Sequence, residues 1–371
     1  MSTFDVAIVG AGIVGAACAA ALAREGLSVC VLDGADIATG TTAAGMGHIV
    51  VMDDSEAQFA LTHYSQNLWG QLAEEMPATC EFETCGTIWV AADDEERDEI
   101  LRKQVFYGER GISSEVLDEK AVSEAEPNLR PGLVGGLLVP TDTVVYQLTA
   151  TSYMLNKAVR LGAVVRTGNG VTQISDNGAI LENGDFVSAG SVVNAAGASA
   201  GALTPKLKIE KRKGHLVITD RYDGFVRHQL VELGYLKSAH GKDSDSVAFN
   251  VQPRSTGQVL LGSSRQFGID TSAVDYGILR QMTTRAFEYM PNLEKLSAVR
   301  IWTGFRPATP DNLPYIGRIP GFENVYAAAG HEGLGITTSL GTAELIADAI
   351  LGRPSAIPIE PYLPTRNISE H

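Results

Sequence analysis

The chain begins with a short continuous apolar run at residues 5–10 (DVAIVG), which predicts a buried parallel strand. Residues 12–24 are rich in alanine and contain no proline, the pattern of a closely packed helix. A second strand is expected over 28–32. Strand, helix and strand in about thirty residues make the βαβ unit of a doubly wound sheet. Helices are expected over 54–76 and 148–160, and a strongly charged, solvent-facing helix over 93–110. Short strands are expected at 87–91, 163–166, 179–181 and 191–194. From 206 to 268 the pattern mostly alternates, with runs at 247–251 and 258–262, and predicts an antiparallel sheet. A last strand at 325–328 leads through a glycine-rich turn into a helix over 339–351. No repeat, low-complexity stretch or linker separates the two architectures, so they are expected to interleave. Segments 1–75, 145–205 and 301–371 would form one domain, and 76–144 with 206–300 the other.

Composition narrows the function classes. A chain of 371 residues, 44% hydrophobic and 20% charged, fits a globular protein of two domains. The net charge of −15 repels phosphates and argues against a nucleic-acid partner. No run reaches the roughly 18 apolar residues of a membrane helix. The amino terminus, Met-Ser-Thr-Phe-Asp, lacks the basic region and cleavage site of a signal peptide, so a cytoplasmic location is expected. Cys18 and Cys30 lie in apolar stretches and read as buried thiols; the spacing of Cys80 and Cys85 is not that of a zinc or redox pair. No metal site is expected.

Gly10, Gly12 and Gly15 give GxGxxG between a predicted strand and a predicted helix. The first allows a tight turn, the second a close approach of pyrophosphate, and the third close packing of helix on sheet. The helix amino terminus offers N–H groups and a positive dipole end to phosphates. Asp33 closes the second strand 18 residues after Gly15, where a carboxylate can accept from ribose hydroxyls. FAD and NAD share this fingerprint. Two further segments favour FAD: the small-residue loop Thr41–Gly47 (TTAAGMG), against which a ring system can lie, and Gly330–Thr337 (GHEGLGIT) at the start of the last helix. A positive helix end there suits the anionic edge of a reduced flavin.

Five segments resemble the D-amino-acid oxidase superfamily of FAD enzymes, in the branch of glycine oxidase, sarcosine oxidase and bacterial amino-acid dehydrogenases. They are GAGIVG (10–15), TTAAGMG (41–47), VVNAAGASA (192–200), GFRPATPDNLPYIG (304–317) and NVYAAAGHEGLGIT (324–337). The resemblance implies a Rossmann-type FAD domain interleaved with a substrate domain built on a mixed, largely antiparallel sheet. It implies adenosine and phosphate contacts from Gly10, Gly12, Ile13, Val14, Gly15, Asp33 and Gly34, with Val171 on the adenine side and Gly197 in the cofactor set. Thr41, Thr42, Ala44, Gly45 and Met46 would line the flavin. Gly330, His331, Glu332, Gly333, Leu334, Gly335, Ile336 and Thr337 would wrap its pyrimidine end. Arg306 matches the arginine that pairs with the substrate carboxylate, a task suited to a planar fork of donors. The chain departs from the pattern at several points. Asp33 replaces a more frequent glutamate. Gly304 and Thr42 stand where relatives attach flavin covalently, so non-covalent FAD is expected. Gly333 stands where glycine oxidase has an arginine near the substrate.

The substrate domain is expected to supply Lys213 to His215, Tyr235, Lys237, Asn250, Gln252, Arg265 and Gln266, a pattern similar to bacterial D-hydroxyproline dehydrogenases and more distantly to β subunits of opine-oxidising complexes. The expected reaction is oxidation of a small amino or imino acid (D-amino acid, D-hydroxyproline or D-proline type) by hydride transfer from Cα to flavin N5, giving an imine. No general base is assigned; His48 and His331 are candidates for tuning protonation through hydrogen bonds. A dehydrogenase is favoured over an oxidase, with oxygen, a quinone and a partner subunit all open as electron acceptor. A hydroxy-acid dehydrogenase and a β subunit of a larger complex stand as alternatives, and peripheral membrane contact and homo- or hetero-oligomers stay open.

Overall fold

The computed structural model describes residues 3–234 and 245–366. The chain forms two compact units. The first comprises Met1–Cys80, Val145–Lys211 and Phe305–His371, and the second Glu81–Val144 and Arg212–Gly304.

The first unit is built on a sheet in the order Tyr315–Arg318, Val325–Ala329, Phe186–Asn194, Phe4–Val9, Val29–Leu32, Val164–Arg166. All neighbours are parallel except the outermost pair, Tyr315–Arg318 with Val325–Ala329. Val6, Ala7, Ile8 and the whole Val29–Leu32 strand are buried, as strands covered on both faces must be. Two helices follow from alanine and small residues. Ile13–Arg24 buries residues on nearly every side, and Gly335–Leu351 has a similar interior character. Small side chains let helix axes approach closely and lose little entropy on ordering. The last helix begins at Gly335, four residues before the expected start at 339. Of the glycines that argued for a loop, Gly335 instead opens the helix, while Gly330 and Gly333 stay in the turn before it. Phe186–Asn194 extends beyond the expected 191–194 because its first half pairs antiparallel with Gly178–Leu181.

The second unit is a sheet in the order Ala298–Ala308, Glu210–Arg221, Gln258–Arg265, Ser246–Pro253, Gln229–Glu232, Thr87–Ala91, Gly135–Val139, Glu115–Leu117. From Glu210–Arg221 to Glu115–Leu117 the neighbours are antiparallel apart from Gln229–Glu232, which runs parallel to Thr87–Ala91. The helix Tyr276–Tyr289 covers one face with Leu279, Met282, Ala286 and Tyr289, against Leu230, Phe249, Val251 and Leu261. The ring of Phe249 stacks on Tyr289 at 4.6 Å. The charged helix Asp94–Glu109 is not simply solvent-facing, as its sequence suggested. It buries Glu96, Ile100, Lys103 and Tyr107. The Lys103 ammonium lies 4.4 Å from the centre of the Trp89 ring, where a cation finds a negative π face in place of water.

Candidate active site

In the first unit, the turn after Phe4–Val9 is shaped by steric necessity. Gly10 has φ of 112°, and a Cβ on it would lie 2.4 Å from the carbonyl oxygen of Ala195. A Cβ on Gly15 would stand 2.0 Å from the carbonyl oxygen of Gly10, so helix and turn meet backbone to backbone. No side chain caps the helix through Gly12. The Ile13 N–H is taken by the Thr42 hydroxyl at 3.0 Å, and Gly12 has no side chain to cap the N–H groups that follow, so the helix end offers a cradle for an anion. Half-buried Asp33 closes the second strand, and its carboxylate accepts from the Ala11 N–H at 2.7 Å and the Ala35 N–H at 2.9 Å. An ionised carboxylate has about four acceptor positions, so two are left for hydroxyls. Gly34 lies beside Gly170, just before Val171; a Cβ on Gly34 would be 3.0 Å from the Gly170 Cα.

The second small-residue loop packs in the same unit. The Thr41 hydroxyl donates to the Phe305 carbonyl at 2.7 Å, and Thr42 is buried. Thr41 and Ala43–Met46 are half-buried. A Cβ on Gly45 would come within 2.7 Å of the Ile336 side chain, and the Gln147 amide donates to the Gly45 carbonyl at 2.8 Å. Gly197, at φ 53°, follows a turn set by Asn194, whose amide oxygen accepts from Ala196 N–H.

The last helix also lacks a side-chain cap at Leu334. Its first turn is held from behind: the Trp69 indole donates to the carbonyls of Ile336 and Thr337, and the Thr337 hydroxyl donates to the His48 carbonyl at 2.8 Å. Gly330, at φ 85°, meets Thr309, and the Glu332 N–H donates to the Pro307 carbonyl at 2.9 Å. Glu332 folds back onto the Gly333 N–H. The His331 ring is buried with Nε2 on the Thr342 hydroxyl at 3.0 Å, and burial pushes its pKa down to about 3. It is therefore a neutral ring near pH 7.

Arg306 is half-buried on the strand Ala298–Ala308. A Cβ on Gly333 would lie 3.7 Å from its Nε, an ordinary contact distance that places the guanidinium beside the second glycine loop. Sequence reasoning missed what holds the following TPD stretch. Asp311 takes a two-pronged bond from Arg366, at 2.7 and 2.9 Å. Burial raises the Asp311 pKa and the Arg366 fork lowers it, with the net direction down. The two residues are 55 apart, and no local pattern signals the pair.

In the second unit, several expected substrate residues form a knot. The Gln266 amide donates to Asp245 at 3.2 Å and Asp275 at 3.1 Å, which leaves its buried Oε1 without a partner among the described residues. His215 Nε2 accepts from the Asp275 N–H, and its Nδ1 meets the Ser264 hydroxyl, each at 3.0 Å. Lys213 donates to the Ala273 carbonyl. Arg265 and Asn250 are half-buried, and Gln252 is buried. Tyr235 and Lys237 lie outside the described residues. All four cysteines are free thiols, and burial pushes Cys18 up to about 12 and Cys85 up to about 11.

A central parallel strand, a glycine turn, an uncapped helix and a carboxylate at the next strand define a dinucleotide-binding protein, and a second uncapped helix end in the same unit fits a flavin. A family model described as FAD dependent oxidoreductase matches residues 5–349. The chain belongs to that family, and FAD is its cofactor. The chain is 28% identical over 384 residues to a glycine oxidase of Geobacillus kaustophilus, with 99% of this chain and 98% of the relative covered. The crystal structure of glycine oxidase from Geobacillus kaustophilus superposes with a TM-score of 0.90 at 27% identity, over 100% of both chains. That of L-proline dehydrogenase from P. horikoshii gives 0.87 at 26% identity, covering 98% of this chain and 97% of the other. No helix among the described residues is long and apolar enough to cross a membrane.

Proposed function

We propose that the protein oxidises a small amino or imino acid, of D-amino acid, D-hydroxyproline or D-proline type, and works as a dehydrogenase. Bound FAD would supply the acceptor for the two electrons and the hydride from the substrate Cα, and the amine would give up its N–H proton to solvent as the imine forms. The names of the relatives, which refer to glycine and L-proline, support the substrate class. The observation that carries the reading is Arg306, half-buried beside Gly333 on the loop that opens the last helix. A guanidinium there can bind a carboxylate with two parallel bonds, which fixes orientation as well as charge. The glycine turn and Asp33 would hold pyrophosphate and ribose, and the uncapped end at Leu334 would face the pyrimidine edge of the flavin. His331 stays neutral and keeps charge away from that end, so the amine must arrive as the free base or lose its proton to solvent.

A two-by-two comparison tests this: wild type and Arg306→Ala, each given an amino acid and its decarboxylated analogue, followed by anaerobic flavin bleaching. Removing one partner of a desolvated pair costs on the order of 2–5 kcal/mol, so kcat/KM for the amino acid should fall at least about thirtyfold. FAD content should not change, and the analogue should be equally poor for both proteins. Equal losses in both proteins on removing the carboxylate would show that Arg306 is not its partner.

A further inference from the structure

In the first unit, the chain beyond the last helix returns to the place where that helix begins. Gly335–Leu351 has 17 residues and is about 25 Å long at the usual rise per residue. The segment that follows carries Tyr362, fully buried, whose hydroxyl donates to the Ala57 carbonyl. It then brings Arg366 to the turn at residues 309–314, with only 8% of the arginine side chain exposed. Nε and Nη2 hold the two Asp311 oxygens at 2.7 and 2.9 Å, and Nη2 also donates to the Leu313 carbonyl at 2.7 Å. Nη1 lies within hydrogen-bond reach of the carbonyls of Pro314, Tyr362 and Leu363, at 3.1, 3.0 and 3.3 Å. The guanidinium carbon is 4.2 Å from the centre of the Tyr315 ring.

The turn so held touches the second glycine loop. It is tight: the Thr309 hydroxyl donates to the Leu313 carbonyl at 2.8 Å, the Leu313 N–H donates to Asp311 at 3.2 Å, and Asn312 is left-handed at φ 59°. Both of its flanks press on Gly330. A Cβ there would lie 2.5 Å from the Thr309 methyl and 3.5 Å from the Tyr315 ring. Pro307, just before the turn, accepts from the Glu332 N–H at 2.9 Å. Leu313, Pro314, His331 and Leu334 line one small cavity between the turn and the start of the helix. Two short routes therefore lead from the guanidinium to the loop, one through Asp311 and Thr309 and one through Tyr315. A helix end favours an anion most when its N–H groups are fixed beforehand; otherwise the cost of ordering them is subtracted from binding.

We propose that Arg366 is a positioning residue for FAD: it fixes the turn at 309–314, the turn fixes the Gly330–Gly333 loop, and the loop holds the start of the last helix against the flavin. The inference rests on the reading above that this helix end meets the pyrimidine edge. The test takes FAD-loaded enzyme and measures the FAD dissociation constant and the midpoint potential of the bound flavin, neither of which needs a substrate. Arg366→Ala loses charge-assisted bonds and should raise the dissociation constant at least about tenfold. A displaced helix end stabilises the anionic reduced flavin less, so the potential should fall, by about 30 mV for each tenfold lost by reduced relative to oxidised FAD. Arg366→Lys keeps the charge without the fork and should lie between wild type and Arg366→Ala. Asp311→Asn should shift both quantities in the same direction, and it carries the measurement if Arg366→Ala does not fold. Tyr362→Phe removes the bond to Ala57 from the same segment, and should lower Tm while leaving both quantities at wild-type values. If the Arg366 and Asp311 variants lose only Tm, or Tyr362→Phe shifts affinity and potential as much as they do, Arg366 is an anchor of the fold and the inference is overturned. Glu332→Gln removes a carboxylate from the same loop and should raise the potential. If it leaves the potential unmoved, the flavin is not at that helix end, and the reading and the inference fall together. If it moves the potential and the Arg366 variants do not, the inference alone falls.

Discussion

The two units place their polar groups by different means. In the first, the binding groups are backbone: N–H groups at two uncapped helix ends, reached because Gly10, Gly15 and Gly45 let chain segments approach to distances a Cβ would forbid. In the second, the polar groups are side chains such as Thr87, Trp89, Gln229 and Asn250, drawn from three strands that only register brings together onto one face. A site made of backbone tolerates no Cβ at Gly10 or Gly15, where it would meet backbone oxygens at 2.4 and 2.0 Å. A face made of side chains can be altered one atom at a time. Cofactor binding should therefore be fragile at single positions.

The largest effect should come from the glycines of the first turn, and two of them separate fold from cofactor. The Cβ of Gly15→Ala would meet a backbone oxygen at 2.0 Å, which the helix can relieve only by moving off the sheet. That variant should lose FAD and unfold at a much lower temperature. The Cβ of Gly12→Ala would meet the Thr42 hydroxyl at 3.2 Å, a contact that can yield. It should fold and still bind FAD poorly, because the added methyl occupies the approach of the pyrophosphate. Thermal melts and flavin release, measured on both variants, check the pair. Two variants with equal Tm and equal FAD content would break the contrast between units.

That contrast also explains what was legible in the sequence. The GxGxxG turn, the strand–helix–strand unit and the aspartate at its end sit within 33 residues, so spacing alone announces them. The face around Gln229 was not legible, because Gln229–Glu232 is a short strand whose parallel pairing with Thr87–Ala91 spans more than a hundred residues. The helix Tyr276–Tyr289 escaped notice as well, although Asp275 caps it through the N–H groups of Gly277 and Ile278. The strand Ala298–Ala308 reads as irregular because of its glycine, its one proline and its two arginines, and Arg306 was recognised through its motif and not through its strand. The charged helix 94–109 misled for a definite reason. A charge run is normally a solvated face, and Lys103 is buried over the rings of Trp89 and Tyr107.

A smaller effect is expected at Asp33. Its carboxylate already accepts from Ala11 and Ala35, so Asp33→Ala loosens the glycine turn as well as removing acceptors for the ribose. Loss of a charge-assisted hydrogen bond is worth roughly 1.5–3 kcal/mol, or about tenfold and more in FAD affinity. Asp33→Asn keeps one acceptor oxygen and should fall between wild type and Asp33→Ala. Turnover in enzyme saturated with FAD should change far less than the dissociation constant. An unchanged FAD dissociation constant in Asp33→Ala would remove the ribose contact from the account.

The smallest effect concerns His331, which belongs to the interior of the first unit. Burial holds its pKa at about 3 in the folded protein, against about 6.5 in an unfolded chain. Above pH 6.5 the ring is neutral in both states and contributes no pH dependence. As the pH falls below 6.5 the unfolded chain takes up a proton that the folded one refuses, so folding stability drops, and the drop continues until pH approaches 3. The slope contributed by one such group is at most about 1.4 kcal/mol per pH unit. His331→Gln keeps a group able to reach the Thr342 hydroxyl and removes the titration. Urea midpoints of wild type and His331→Gln, taken between pH 5 and pH 8 with FAD bound, should differ by a constant amount above pH 7. Below pH 6.5 the wild type should lose ground to the variant, by about 1 kcal/mol between pH 6.5 and 5.5. Parallel curves across the whole range would mean that the ring is protonated in the fold or already shielded in the unfolded chain. Only the first would make the ring a cation in the fold, and either would overturn the buried neutral ring as the source of the acid-side loss of stability.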